Sequence, residues 1–193
     1  MPRLGLTREI GDFHFKALYS GAFKAPAIEN IELGEDVRPE RTRVWEVEAG
    51  WLATDNLMVA VNLYDIKIDG PTTYSADPET LEEVYLNVAP TGTRGLEAEA
   101  RLRTGWMWAT ASWSFYTARG RNEAEEFAVE GQPDALLGFA LYKGTLRAGF
   151  EPLPRVTISP SLAFFGPRWG CARADVSGEP VLERPPASCG GRS

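Results

Sequence analysis

The sequence predicts an all-β fold, an antiparallel transmembrane β-barrel segment of about eight strands. Three observations predict it. Apolar and polar residues alternate with period two over many short segments. No stretch of any length carries helical periodicity. Very short connections alternate with long polar ones, the pattern of periplasmic turns facing extracellular loops. Alternation by itself also suits soluble sandwiches and lipocalin-like barrels, and on that evidence alone a soluble all-β domain is favoured.

The elements follow in order. Phe13, Phe15, Ala17, Tyr19, Gly21 and Phe23 alternate with His14, Lys16, Ser20 and Lys24. Successive side chains of a strand point to opposite faces, so the segment has one apolar and one polar side. Trp45, Val47, Ala49 and Trp51 stand against Glu46, Glu48 and Gly50, and after a turn at Ala53–Asn56 come Leu57, Val59, Val61 and Leu63. There the phase slips, with Tyr64, Ile66 and Ile68 apolar against Asp65, Lys67 and Asp69. A β-bulge explains a one-residue slip, and so does a strand leaving the bilayer. Leu96, Ala98, Ala100 and Leu102 alternate with Glu97, Glu99, Arg101 and Arg103, then Thr104-Gly105 turns the chain into Met107, Ala109, Ala111, Trp113 and Phe115. Leu146, Ala148 and Phe150 follow, and after the turn at Glu151–Arg155, Val156, Ile158, Leu162 and Phe164, with Pro160 awkwardly inside that last strand. The first turn lies at Glu9–Asp12, and the long loops are 24–42, 70–92, 117–141 and 167–193. Phe139–Tyr142 reads as a helical turn within a loop. Aromatics near strand ends (Trp45, Trp51, Tyr64, Trp106, Trp113, Phe115, Tyr116, Phe164 and Phe165) suit interfacial girdles and core packing alike.

Composition excludes several functions. The 193 residues carry 20 basic and 27 acidic side chains, net −7, with no basic run, so no nucleic-acid partner is expected. No window holds the ~18 apolar residues of a membrane helix. Met1–Ile10 lacks the apolar core and the cleavage site of a secretory signal. With one histidine and two cysteines, no cofactor or metal is expected, and His14 has no second ligand at suitable spacing. Gly92-Thr93-Arg94-Gly95 lacks the spacing and lysine of a phosphate loop. The row Arg94, Glu97, Glu99, Arg101 and Arg103 is read as lining a hydrated lumen and neutralising itself, not as acid–base machinery. The chain is not expected to be an enzyme.

Five motifs, in order and spacing, resemble the later barrel strands of a TonB-dependent outer-membrane receptor. They are Ala22-Phe23-Lys24-Ala25-Pro26, Gly34 to Glu40 with Pro39-Glu40, Trp45 to Gly50, Asp55-Asn56-Leu57 to Tyr64-Asp65-Ile66, and Asn87 followed by Thr93-Arg94-Gly95-Leu96-Glu97-Ala98-Glu99. The resemblance implies residues 1–170 as a barrel portion and 171–193 as a Gly/Pro/Arg-rich loop or tail. It implies a Gram-negative outer membrane, outer-membrane lipid as partner, TonB as the drive, and import of a nutrient such as an iron chelate or cobalamin. The plug domain, the energy-coupling box and the closing strand of that family have no counterpart in the sequence. The expectation is therefore an open, curved sheet from a larger barrel, with an irregular segment beyond Cys171. In an extracellular loop Cys171 and Cys189, with 17 residues between them, are expected to be bonded. Closing such a loop contributes roughly 3 kcal/mol in the chain-entropy model. A soluble β-barrel or sandwich with a small hydrophobic ligand inside is the alternative, distinguished by which face is apolar.

Overall fold

β1 (Arg3–Ile10) and β2 (Phe13–Lys24) form a hairpin around Gly11-Asp12, where Gly11 takes φ +58° without a Cβ penalty. β3 (Glu40–Thr54) and β4 (Leu57–Asp69) are joined by Asp55-Asn56. β7 (Thr91–Arg103) and β8 (Met107–Thr117) meet at Thr104–Trp106, where the Thr104 N–H donates to the Met107 carbonyl (2.8 Å). β9 (Tyr142–Leu153), β10 (Val156–Ile158) and β11 (Ser161–Phe165) complete the wall. Pro160 sits in the break between the last two strands, where it removes no ladder bond. This computed structural model describes residues 1–28, 37–76, 83–153, 155–174, 180–183 and 189–190.

The strands make one antiparallel sheet in the order β1-β2-β3-β4-β7-β8-β9-β11-β14, with β10 beside β9 and β14 spanning Cys189–Gly190. Its two ends do not pair with each other, so the sheet is open. Two small ribbons accompany it. β5 (Thr72–Ala76) with β6 (Glu83–Asn87) lies within the expected 70–92 loop. β12 (Gly170–Ala174) with β13 (Pro180–Glu183) lies where an irregular segment was expected. Phe139–Tyr142 is not helical, because Tyr142 opens β9, and the helical turn falls at Glu125–Phe127.

Residues opposite each other on paired strands share a face. Register therefore carries one row of side chains from Phe15 through Ala49, Val61, Ala98, Trp113 and Gly144 to Phe164. The next row, on the other face, runs Lys16, Glu48, Asn62, Glu97, Ser114 and Lys143. Among the described residues the buried hydrophobic side chains are Ala118, Ala124, Val129 and Ala135, all in the loop between β8 and β9. The sheet's own apolar face is open, with Trp45 59%, Val47 57% and Leu63 53% exposed. A sheet that leaves this much apolar area uncovered needs an apolar solvent.

Candidate functional site

The apolar face is the outward one. In β3 exposed Arg43, Trp45, Val47 and Ala49 alternate with half-buried Val44, Glu46 and Glu48. Side chains on the convex side of a curved sheet diverge into solvent, and those on the concave side shield one another. Phe13, Phe15, Trp45, Val47, Val59, Val61, Ala98, Ala111, Leu146 and Ile158 share the outward face. Among them Phe13 stacks on Trp51 at 6.1 Å, and beside them Tyr19 packs on Trp45 at 4.4 Å. Such rings suit the boundary between hydrocarbon and water.

The inward face is polar and hollow. An open cavity of about 440 Å³ is bordered by Glu48, Asn62, Glu97, Glu99, Arg101 and Thr145. His14 lies over Gly50, where a Cβ would overlap its ring, and its Nε2 meets Glu48 Oε1 at 3.1 Å. Tyr64 over Gly95 and Trp108 over Gly149 repeat that device, large ring against missing side chain. His14 is thus a wall residue, and among the described residues no group of acids, histidines and cysteines could hold a metal. Glu99 pairs with Arg101 and Ser112 Oγ with Thr145 Oγ1 (2.6 Å), so much of the polarity satisfies itself. Asn62 Oδ1 is buried with no partner among the described residues. Arg94 departs from expectation. Its even position places it outward, opposite Asp65, and not in the lumen row with Glu97 and Glu99.

The phase slip at Leu63 is not a bulge. β4 keeps continuous register with β7 from Leu57 to Ile68, so Tyr64, Ile66 and Ile68 simply lie inward. Charged Asp65, Lys67 and Asp69 face outward there, the pattern of a strand beyond the hydrocarbon. The girdle expectation fails for Tyr64, Tyr116 and Phe165, which parity also turns inward. With Ile66, Ile68 and Phe139 they border an upper hollow of about 520 Å³ that also presents Lys143 and Arg168. Among the described residues neither cation has a carboxylate partner.

The recurring motifs meet at the loop-side rim. Asn87 Oδ1 accepts from the Arg38 N–H (2.7 Å), while Nδ2 donates to the carbonyls of Arg38 (3.0 Å) and Gly70 (2.7 Å). Glu40 Oε1 accepts from Lys24 Nζ at 2.9 Å and from the Thr72 N–H at 3.3 Å. One amide and one carboxylate thus tie together the ends of β2, β4 and β6 and the starts of β3 and β5. The 117–141 loop is pinned separately. Arg119 donates through Nε (3.1 Å) and Nη2 (2.6 Å) to Asp134, which also accepts from Thr117 Oγ1 (2.6 Å). Beside the Arg119 guanidinium and the Thr117 hydroxyl, the Asp134 carboxyl is held below its ordinary range. The side chains of Cys171 and Cys189 lie outside the described residues, although their backbones sit in β12 and β14.

An open antiparallel sheet, apolar outward, polar inward and looped on one rim, is a wall of an outer-membrane β-barrel. A soluble binder would carry these faces the other way round. The chain belongs to the TonB dependent receptor-like, beta-barrel family, whose pattern matches residues 1–178. This is a family of receptors and transporters, not enzymes, and its place is the outer membrane of Gram-negative cells.

Solved structures share the fold. The siderophore receptor PirA from Acinetobacter baumannii superposes with TM-score 0.73 at 12% identity over 97% of this chain and 33% of its own. The pyoverdine outer membrane receptor FpvA of Pseudomonas aeruginosa PAO1 gives 0.71 at 12% identity over 97% and 28%. The FrpB iron transporter from Neisseria meningitidis (F3-3 variant) gives 0.66 at 15% identity over 94% and 30%. The chain spans a third or less of each of these three receptors. No curated protein matches the sequence.

Proposed function

We propose that these residues form barrel wall and extracellular rim of a receptor that imports a scarce nutrient across the outer membrane, driven by TonB. The observation that carries the reading is the opposition of faces. The outward side is apolar through the middle of the sheet from β2 to β11, with Arg8 of β1 opposite Phe15 as the charged exception, while the inward side is a polar trough able to surround a plug. Both sheet edges are unpaired, and such edges are untenable in hydrocarbon, so further strands and a plug complete the barrel. Residues 1–170 make most of the wall, and the segment 171–193, which brings β14 to the sheet edge, carries two cysteines that are bonded.

An iron chelate fits better than cobalamin as the cargo. PirA is a siderophore receptor and FpvA binds pyoverdine, and the upper hollow here sets Tyr64, Phe139 and Phe165 beside Lys143 and Arg168, which have no carboxylate partner among the described residues. Aromatic faces and free cations suit a flat anionic chelate. The test is uptake by iron-starved cells lacking the gene, given a panel of radiolabelled ferric chelates and cobalamin. Loss of one chelate's uptake, reproduced by removing TonB, is expected. Unchanged uptake of every chelate contradicts the reading.

A further inference from the structure

The upper hollow holds more than its rings and cations. Above Tyr64 the inward wall of β4 turns aliphatic at Ile66 and Ile68, and Val44 of β3 lies opposite Ile66. Charged Asp65, Lys67 and Asp69 of the same strand take the outward face, so apolar and polar residues have exchanged sides. From the loop between β8 and β9, Leu136, Ala140 and Leu141 border the same space. That loop side is fixed in place. The Leu136 N–H donates to Tyr116 Oη (3.2 Å), and the Tyr116 hydroxyl donates to the Phe139 carbonyl (3.3 Å). The Gly138 N–H donates to the Trp169 carbonyl (2.7 Å) and the Leu141 N–H to that of Pro167 (3.2 Å). An aliphatic slot held by hydrogen bonds takes an apolar guest without first having to order its walls.

Lys143 and Arg168 border the hollow and have no carboxylate partner among the described residues. Glu97, which also borders it, stands two strands away from Lys143 in the same inward row. Charge therefore selects an anion, and the aliphatic wall selects an apolar limb attached to it. A flat chelate alone engages the rings and cations but leaves Ile66, Ile68, Leu136 and Leu141 against water. We propose that the imported cargo is amphiphilic, an anionic ferric chelate carrying an acyl chain. The chain lies along those four aliphatic residues, and the chelate sits against Lys143 and Arg168. The inference rests on the import reading and narrows it to acylated cargo.

The test measures binding to the complete receptor in nanodiscs. The probes are a ferric catecholate and a ferric hydroxycarboxylate, each made with acyl groups from acetyl to decanoyl. Each added methylene should tighten binding about fourfold until the hollow is filled. Ile66→Asn should flatten that dependence and leave the acetyl form bound as before. Leu136→Asn, outside the sheet, should do the same and covers the case in which Ile66→Asn does not assemble. Lys143→Gln should weaken binding at every chain length alike, roughly tenfold. A chain-length dependence that survives both aliphatic substitutions comes from the disc lipid and overturns the proposal, as does affinity that ignores chain length. A receptor that binds neither chelate at any length fails the import reading itself, and this proposal with it.

Discussion

Ala111 and Ser112 are neighbours on β8 with opposite fates, and substituting each by arginine separates lipid from lumen. Ala111 is the middle of the outward residues Met107, Ala109, Ala111, Trp113 and Phe115. Arginine at such a midplane position costs about 2–4 kcal/mol, roughly 30- to 900-fold in the folding equilibrium. Ser112 faces the trough that holds Glu48, Glu97 and Glu99. Ser112→Arg breaks its 2.6 Å bond to Thr145, a loss of about 1 kcal/mol. The neighbouring carboxylates offset that loss by receiving the guanidinium. The assay is urea unfolding, in vesicles, of the complete barrel proposed above, followed by tryptophan fluorescence. Ala111→Arg should be the more damaging by at least about tenfold. Equal costs, or the reverse order, would refute the assignment of faces.

Other substitutions probe the local devices. Gly95→Val places a Cβ 2.6 Å from Tyr64 Oη and against the Phe115 carbonyl, and should cost about 3 kcal/mol. Gly144→Ala meets its nearest atom at 3.6 Å and should be nearly neutral by the same unfolding measurement. Asn87→Ala strands the Arg38 N–H and the Gly70 carbonyl; a loss of about 1–3 kcal/mol should appear as faster hydrogen exchange at Arg38. The carboxyl of Asp134 is depressed in the folded state, so its tie contributes above the unfolded carboxylate value and is lost only as pH falls through the lower folded one. Exchange at the Ala118 amide, which donates to the Asp134 carbonyl, should rise across that acid window, and Asp134→Asn should abolish the dependence. Cys171 and Cys189 should resist alkylation until reductant is added, and labelling of both without it would show free thiols.

Much of the wall was readable because two solvents enforce it. Wherever lipid lies on one side and water on the other, as along Trp45–Trp51, parity shows through in the residue types. Above the bilayer that enforcement ends, and residue type there no longer reports the face. At Tyr64 chemistry changed sides while register did not, so residue types alone could not separate a bulge from an exit. Arg94, two residues above the apolar row, was misplaced for the same reason. The rim cluster was hidden for another cause, because Asn87 meets Arg38 across 49 positions of sequence and nothing local announces the pair. The 117–141 loop packs on alanines and a valine, which carry no period to read.

The most direct test of the central claim is a cysteine scan of Val44 to Leu52 in outer-membrane-inserted protein. Each position is spin-labelled and its collisions with oxygen and with a water-soluble nickel chelate are compared. Trp45, Val47, Ala49 and Trp51 should favour oxygen, the mark of lipid, and Val44, Glu46 and Glu48 the chelate, with period two. A flat profile, or the opposite phase, would contradict the account.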